Sequence, residues 1–262
     1  MCDLSVLVPE ARPVVAEAAK IYQRHTKAWF IGLIIHGSAL KGGVIPGCSD
    51  IDLQLYLEEA AFSECGHLPL DICLTIHKDL SRIDPSPFRY IQCYALPPSL
   101  SPGQIGLIPG AYHIILGELP VPEATPEQVR HSAIEALERL DPDPSRIVRH
   151  LLHHGEGRLF RELRLLCTEV WPILYQVLTL REGEVLAIWN LPKESAIEHL
   201  PVTEPIGRDI RTFYRAVKEH YANGEKVETA LAAIPLGVSF LQSAKLWYEQ
   251  SYSAKGTSEV TV

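Results

Sequence analysis

No run of Lys and Arg occurs anywhere in the 262 residues, and the formal net charge is -8. Proteins that track a duplex neutralise rows of phosphate with clustered basic side chains, so a long nucleic acid is not the expected partner. A small neutral or basic molecule suits an acidic chain better, because an acidic cleft concentrates cations. No C-x-x-C pair joins any of the six cysteines, Cys2, Cys48, Cys65, Cys73, Cys93 and Cys167. The first residues also show no basic region followed by an apolar one, and together these predict a reduced, cytoplasmic protein. No apolar stretch reaches the ~18–20 residues of a membrane helix before Pro, Gly or a charge interrupts it, which predicts no membrane partner. No segment repeats at a fixed period.

What is present is ordinary for a globular chain, with 47% apolar and 21% charged residues. The length suits two modest domains, each with its own core. In the first, Val14, Val15, Ala18, Ile21 and Tyr22 recur at helical spacing between Pro9 and Lys27. The branched and aromatic run Trp29–His36 predicts a buried strand. Ile51–Leu57 alternates strictly, with Asp52, Gln54 and Tyr56 on the face opposite Ile51, Leu53, Leu55 and Leu57. Leu70–His77 alternates in the same way and predicts a third strand with Asp71 on its polar face. Dense prolines and glycines between Asp84 and Pro126 predict loops, with one strand near Tyr112–Leu116.

After Pro126 the periodicity is helical, broken at Asp141–Pro144, Gly155, Arg181–Gly183, Leu200–Pro201 and Asn223–Gly224, and the tail from Ser251 is expected to fray. The expected architecture is therefore an α/β (α+β) domain over residues 1–125 with a small mixed sheet, followed by an all-α helical bundle over 126–262. The site would lie in the groove they form.

The chemistry concentrates in His36-Gly37-Ser38, at the end of a predicted strand, and Ser49-Asp50-Ile51-Asp52, at the start of the next. A glycine-containing loop, Lys41–Gly47, joins them. A Gly-Ser pair at such a turn lets phosphate approach bare backbone N–H groups, with the hydroxyl as one more donor. Asp50 and Asp52 stand two apart, so in a strand both carboxylates leave one face and can share a hard cation, naturally Mg²⁺. If the strand of Asp71 pairs alongside, a third carboxylate joins them, enough for one or two Mg²⁺ ions and in-line displacement at phosphorus. Asp71 would then serve as metal ligand or general base. Three acids on adjacent strands would repel one another unless a cation sat among them.

Other features have plainer readings. His150, His153 and His154 fall at i, i+3 and i+4, a spacing compatible with a soft metal, yet no acid or thiol accompanies them at ligand spacing. Arg158, Arg161 and Arg164 form a basic stripe that reads first as surface ion pairs. Cys48 lies in the candidate loop without a base nearby and reads as a packing residue. Lys218 and Lys226 read as solvated helix residues.

Residues His36–Leu53 resemble the nucleotidyltransferase superfamily named after DNA polymerase beta. Within it, the chain is most similar to aminoglycoside adenylyltransferases that modify streptomycin and spectinomycin. Their third acid lies in a strand ending in His, a form that Leu70–His77 follows with Asp in place of the more familiar Glu. Trp171–Tyr175, the Glu182-Gly183 turn, Ser195–Pro201 and Arg211-Thr-Phe-Tyr214 resemble their helical domain, whose Arg faces the phosphates. The proline-rich segment Pro97–Pro126 is shorter than theirs, and the Lys of their Ser/Lys-x-x-Ala turn has only Lys193 as a loose counterpart.

The resemblance implies a metal-dependent enzyme that transfers a nucleoside monophosphate, AMP from ATP, to a hydroxyl of a small acceptor such as an aminoglycoside. Gly37, Ser38, Asp50, Asp52 and Arg211 would bind the nucleotide, Asp50, Asp52 and Asp71 the metal, and the chain would act as a monomer or homodimer. Two alternatives are a catalytically silent nucleotide sensor or antitoxin-like module, and a tRNA-end nucleotidyltransferase. An intact acid triad argues against the first, and the lack of basic and aromatic platforms against the second.

Overall fold

In a computed structural model describing residues 3–155 and 157–253, the chain divides into two compact units, Met1–Thr125 and Pro126–Val262. The tail beyond residue 253, expected to fray, lies outside the described residues. The first unit is a mixed sheet with helices on one face and the second is all helical, the fold class that the sequence periodicity predicts.

Helix α1, Ala11–Thr26, buries Val14, Val15, Ala18, Ile21 and Tyr22, the stripe that its spacing predicts. Strands β1 (Phe30–His36) and β2 (Ile51–Leu57) pair antiparallel, with His36 opposite Asp52. The short helix α2, Ser38–Lys41, follows β1 directly.

Leu70–Leu80 forms helix α3, not the strand expected there. Its alternation is also compatible with an i, i+4, i+8 stripe of Ile72, Ile76 and Leu80, and these residues pack into the core while Leu70 and Leu74 stay exposed. Pro69 precedes its first turn, while Asp71 in that turn and His77 and Lys78 in the last complement the helix dipole.

The strand beside β2 is instead β3, Ile91–Leu96, within the stretch expected to be loop. With β4, Tyr112–Gly117, the order is β3-β2-β1-β4; β2/β3 is parallel and β1/β4 antiparallel.

The sheet's two faces differ. Leu33, Ile35, Leu53, Leu55 and Ile115 join residues of α1 and α3 in the main core. On the other face Ile34, Tyr56 and Val121 form a smaller cluster with Leu107, Ile114 and Leu119. That cluster covers only part of its face, and beyond it lie His36, Asp52 and Gln92, placed side by side by the strand register.

The second unit comprises α4 (Pro126–Arg139), α5 (Ser145–Leu151), α6 (Arg158–Arg181), α7 (Val185–Trp189), α8 (Lys193–Glu198), α9 (Pro205–Ala222) and α10 (Val227–Tyr248). All but one of the breaks between them fall at or next to the predicted turn residues; the break between α7 and α8, at 190–192, was not expected. Helix α10 packs on α6 and α9, and Gly237 is where they meet, since a Cβ there would lie 2.6 Å from Leu166 and 2.8 Å from Phe213. Contrary to expectation, one segment, Val227–Ser251, is long and apolar enough to cross a membrane by length and composition. Here it serves as a core helix, burying Ala230, Ala233, Ile234, Phe240 and Leu241.

Candidate functional site

The site begins where β1 ends. His36 is followed by Gly37, whose φ of 76° and ψ of -156° suit glycine. A Cβ on Gly37 would lie 2.2 Å from Oδ2 of Asp52, so the carboxylate rests directly over the bare backbone. Ser38 is buried beside it, and the turn is closed by Leu40 and Lys41 N–H groups donating to the Gly37 carbonyl at 3.2 and 3.0 Å.

The loop back to β2 is braced from both sides. The Ile45 N–H donates to Ser49 Oγ at 2.9 Å, and the N–H groups of Cys48 and Ser49 donate to the Ile45 carbonyl at 3.0 and 2.9 Å. A second segment holds the loop from outside: Gly47 N–H donates to the Pro87 carbonyl at 2.8 Å and Arg89 N–H to the Ser49 carbonyl at 2.8 Å. Ile51 N–H then donates to the Tyr90 carbonyl at 3.1 Å, which sets the register of β2 against β3 and with it the places of Asp50 and Asp52. Cys48 is buried here, as a packing residue should be.

Burial pushes the His36 imidazole down to about 4, helped by the Lys41 ammonium and opposed by the Asp50 carboxylate. His36 is therefore neutral near pH 7. The same interactions place Lys41 and Asp50 within electrostatic reach of His36, and the register places Asp52 opposite it. Gly37, Ser38, Asp50 and Asp52 thus come together with His36 and Lys41, two residues to which the sequence pattern assigned no role.

Asp71 is not brought in by strand pairing, because its strand does not exist. It lies in the first turn of α3 with its side chain exposed, and its carbonyl accepts from Thr75 Oγ1 at 2.8 Å. Cys73 and His77 of this helix line a cavity of about 440 Å³ with Tyr22 and Cys93, on the helix-covered face of the sheet. Among the described residues no group of three or more His, Cys, Asp or Glu side chains could hold a metal ion. The expected three-acid set is corrected to the pair Asp50 and Asp52.

The place beside Asp52 belongs to Gln92, its register partner on β3. The Tyr90 hydroxyl donates to Gln92 Oε1 at 2.8 Å and Gln92 Nε2 donates to the Tyr94 hydroxyl at 2.6 Å. On β2 the Tyr56 hydroxyl donates to Gln54 Oε1 at 2.9 Å. This face carries amides and phenols where the sequence pattern predicts a carboxylate. The alternation Ile91/Cys93/Ala95 against Gln92/Tyr94 was the available signal, masked by the prolines on either side.

In the second unit, Arg211 is half-buried on α9 and its Nη1 donates to the Gly207 carbonyl of the same helix at 2.7 Å. Tyr214, one turn on, donates to Glu194 Oε1 at 2.7 Å, and Lys218 pairs with the same carboxylate at 2.8 Å, holding Glu194 below its ordinary range. Lys193 lies over the Trp171 ring, 5.9 Å from its centroid. The three histidines do not share a helix face, since α5 ends at Leu151, before His153 and His154. His150 instead meets the buried Glu162 at 2.8 Å.

No protein-family model matches the chain, and no curated protein does. Among solved structures, the chain is similar to the spectinomycin adenyltransferase AAD(9) from Enterococcus faecialis, crystallised with ATP and spectinomycin. The identity is 16% and the TM-score 0.55, with 90% of this chain and 99% of that chain covered. The likeness is one of fold: an α+β unit followed by helices.

Proposed function

We propose that the chain is a nucleotidyltransferase that moves a nucleoside monophosphate, AMP from ATP, onto a hydroxyl of a small acceptor, with an aminoglycoside as the first class to try. The observation that carries this reading is the seat of the Asp52 carboxylate directly over Gly37, with Ser38, Asp50 and Lys41 around it. A bare glycine turn beside paired carboxylates is what a triphosphate and its counter-cation require together. The likeness of the fold to an adenyltransferase crystallised with ATP supports it.

Asp50 and Asp52 supply hard oxygen donors and fit a divalent cation such as Mg²⁺. When bound there, such a cation neutralises charge on the triphosphate and the departing pyrophosphate. Gly37, lacking a side chain, would let phosphate approach the backbone, Ser38 would add a hydroxyl, and the Lys41 ammonium would add positive charge. The acceptor oxygen bonds to the α-phosphorus, the bond from that phosphorus to the α–β bridging oxygen breaks, pyrophosphate leaves, and the hydroxyl proton passes to solvent water. Asp71 is left out as general base, because its part rested on a strand that is a helix.

That omission favours a second reading, a catalytically silent nucleotide sensor, since the sheet carries two acids instead of the three that would count against a sensor. Pyrophosphate release with Mg²⁺ and each of the four ribonucleoside triphosphates, against a panel of aminoglycosides, separates the two. Acceptor-dependent release that disappears in Asp52→Ala establishes the transferase. Nucleotide binding with no release on any acceptor moves the sensor ahead, and no binding at all removes both.

A further inference from the structure

The residue beside the paired carboxylates is neutral, and its surroundings keep it so. Gln92 stands opposite Asp52 on the parallel strand β3, where the polar face of the sheet continues past the two acids. Its amide is held at both ends, accepting from Tyr90, the residue just before the strand, at 2.8 Å and donating to Tyr94 within it at 2.6 Å. Tyr94 is 58% exposed, so the ladder opens outward onto solvent.

Two divalent cations held ~3.5–4 Å apart repel strongly, and a carboxylate between neighbouring strands is what offsets that repulsion. An amide offers a dipole with no net charge. The oxygen of this one is already engaged by a phenol, and turning it toward a cation would break both tyrosine hydrogen bonds. We propose that Gln92 limits the site to a single divalent cation per bound nucleotide, held by Asp50 and Asp52, with the Tyr90–Gln92–Tyr94 ladder filling the place where a second would sit.

This rests on the nucleotide-site reading above and deepens it. One consequence is specific to these residues: Gln92→Glu is nearly isosteric, and a carboxylate there can accept from both tyrosine hydroxyls, so the variant keeps the ladder while adding the missing charge.

The test is a count of Mn²⁺ bound to the full chain in the presence of α,β-methylene-ATP, by electron paramagnetic resonance of the free ion. The wild type is expected to hold one Mn²⁺ per chain in the nucleotide complex, Gln92→Glu two, and Asp52→Asn to lose the ion. Two ions in the wild type overturn the inference while leaving the nucleotide site standing. One ion in a folded Gln92→Glu overturns the part given to Gln92, and undiminished binding in Asp52→Asn places the ion elsewhere and overturns it too. Absence of nucleotide-dependent Mn²⁺ binding in every form overturns both this inference and the nucleotide-site reading. Should Gln92→Glu fail to fold, Gln92→Asp carries the same charge in less volume, and one ion or two in that variant decides the matter in the same way.

Discussion

The two faces of the sheet in the first unit are built from the same four strands and follow opposite rules. One, the carbon face, is apolar where it is covered: Leu33, Ile35, Leu53 and Leu55 are at most 1% exposed beneath α1 and α3. The other is apolar only where Ile34, Tyr56 and Val121 are covered, and beyond them it carries an imidazole, carboxylates and an amide. A period-two side-chain pattern makes this possible, because neighbouring residues of a strand serve different faces. The covered face supplies the stability that lets the open face keep like charges together, an arrangement that packing alone would not favour.

Substitutions on the two faces should therefore separate stability from function. The largest loss of stability is expected from Leu53→Ala on the carbon face, about 3–5 kcal/mol by chemical denaturation, from lost burial plus the cavity left behind. A loss below ~1 kcal/mol would mean that this face is not the stabilising one.

Next comes pH, acting through the open face. The unfolded imidazole of His36 titrates near its ordinary 6.5 and the folded one at about 4, so the unfolded chain takes the proton first as pH falls. The contribution of His36 is whole above pH ~6.5 and is lost progressively toward pH 4, on the order of 2–3 kcal/mol. Denaturation midpoints at pH 7.5 and 5 should lie closer together in His36→Asn than in the wild type, and an unchanged gap would show that His36 is not the titrating group.

Gly37→Ala sets a methyl against Asp52 Oδ2 in a backbone conformation that alanine resists. It should cost about 1–2 kcal/mol and at least tenfold in nucleotide affinity by calorimetry. Smallest in stability, and sharpest as a contrast, is Asp52→Asn. Relieving repulsion should leave the denaturation midpoint within ~0.5 kcal/mol of the wild type, while nucleotide-dependent pyrophosphate release falls to background. A large stability loss in this variant would make Asp52 a structural residue and collapse the distinction between the faces.

The legibility of these features followed the range of the interactions behind them. Val14, Val15, Ala18, Ile21 and Tyr22 announce α1 because one helix buries one stripe, and Ile51–Leu57 announces β2 because seven strictly alternating residues fit nothing else. Residues 70–77 were ambiguous in principle: Ile72 and Ile76 satisfy both a two-residue and a four-residue period. The choice was made by Leu80, by the preceding Pro69 and by docking on α1, not by the short window itself. Ile91–Leu96 reads poorly alone because its strand character is conferred by β2, whose amide and carbonyl groups it satisfies along one parallel edge.

Legible before any folding were α1, the strands β1, β2 and β4, the helical second half with all its breaks except the one between α7 and α8, and the grouping of Gly37 and Ser38 with Asp50 and Asp52. All of these follow from local periodicity, turn chemistry and a short connecting loop. Which strand lies beside β2, and with it that Gln92 and not Asp71 stands next to the paired acids, emerges only in the folded chain. Strand order is set by which surfaces bury one another across the fold, a free energy shared among distant segments and written in none of them singly.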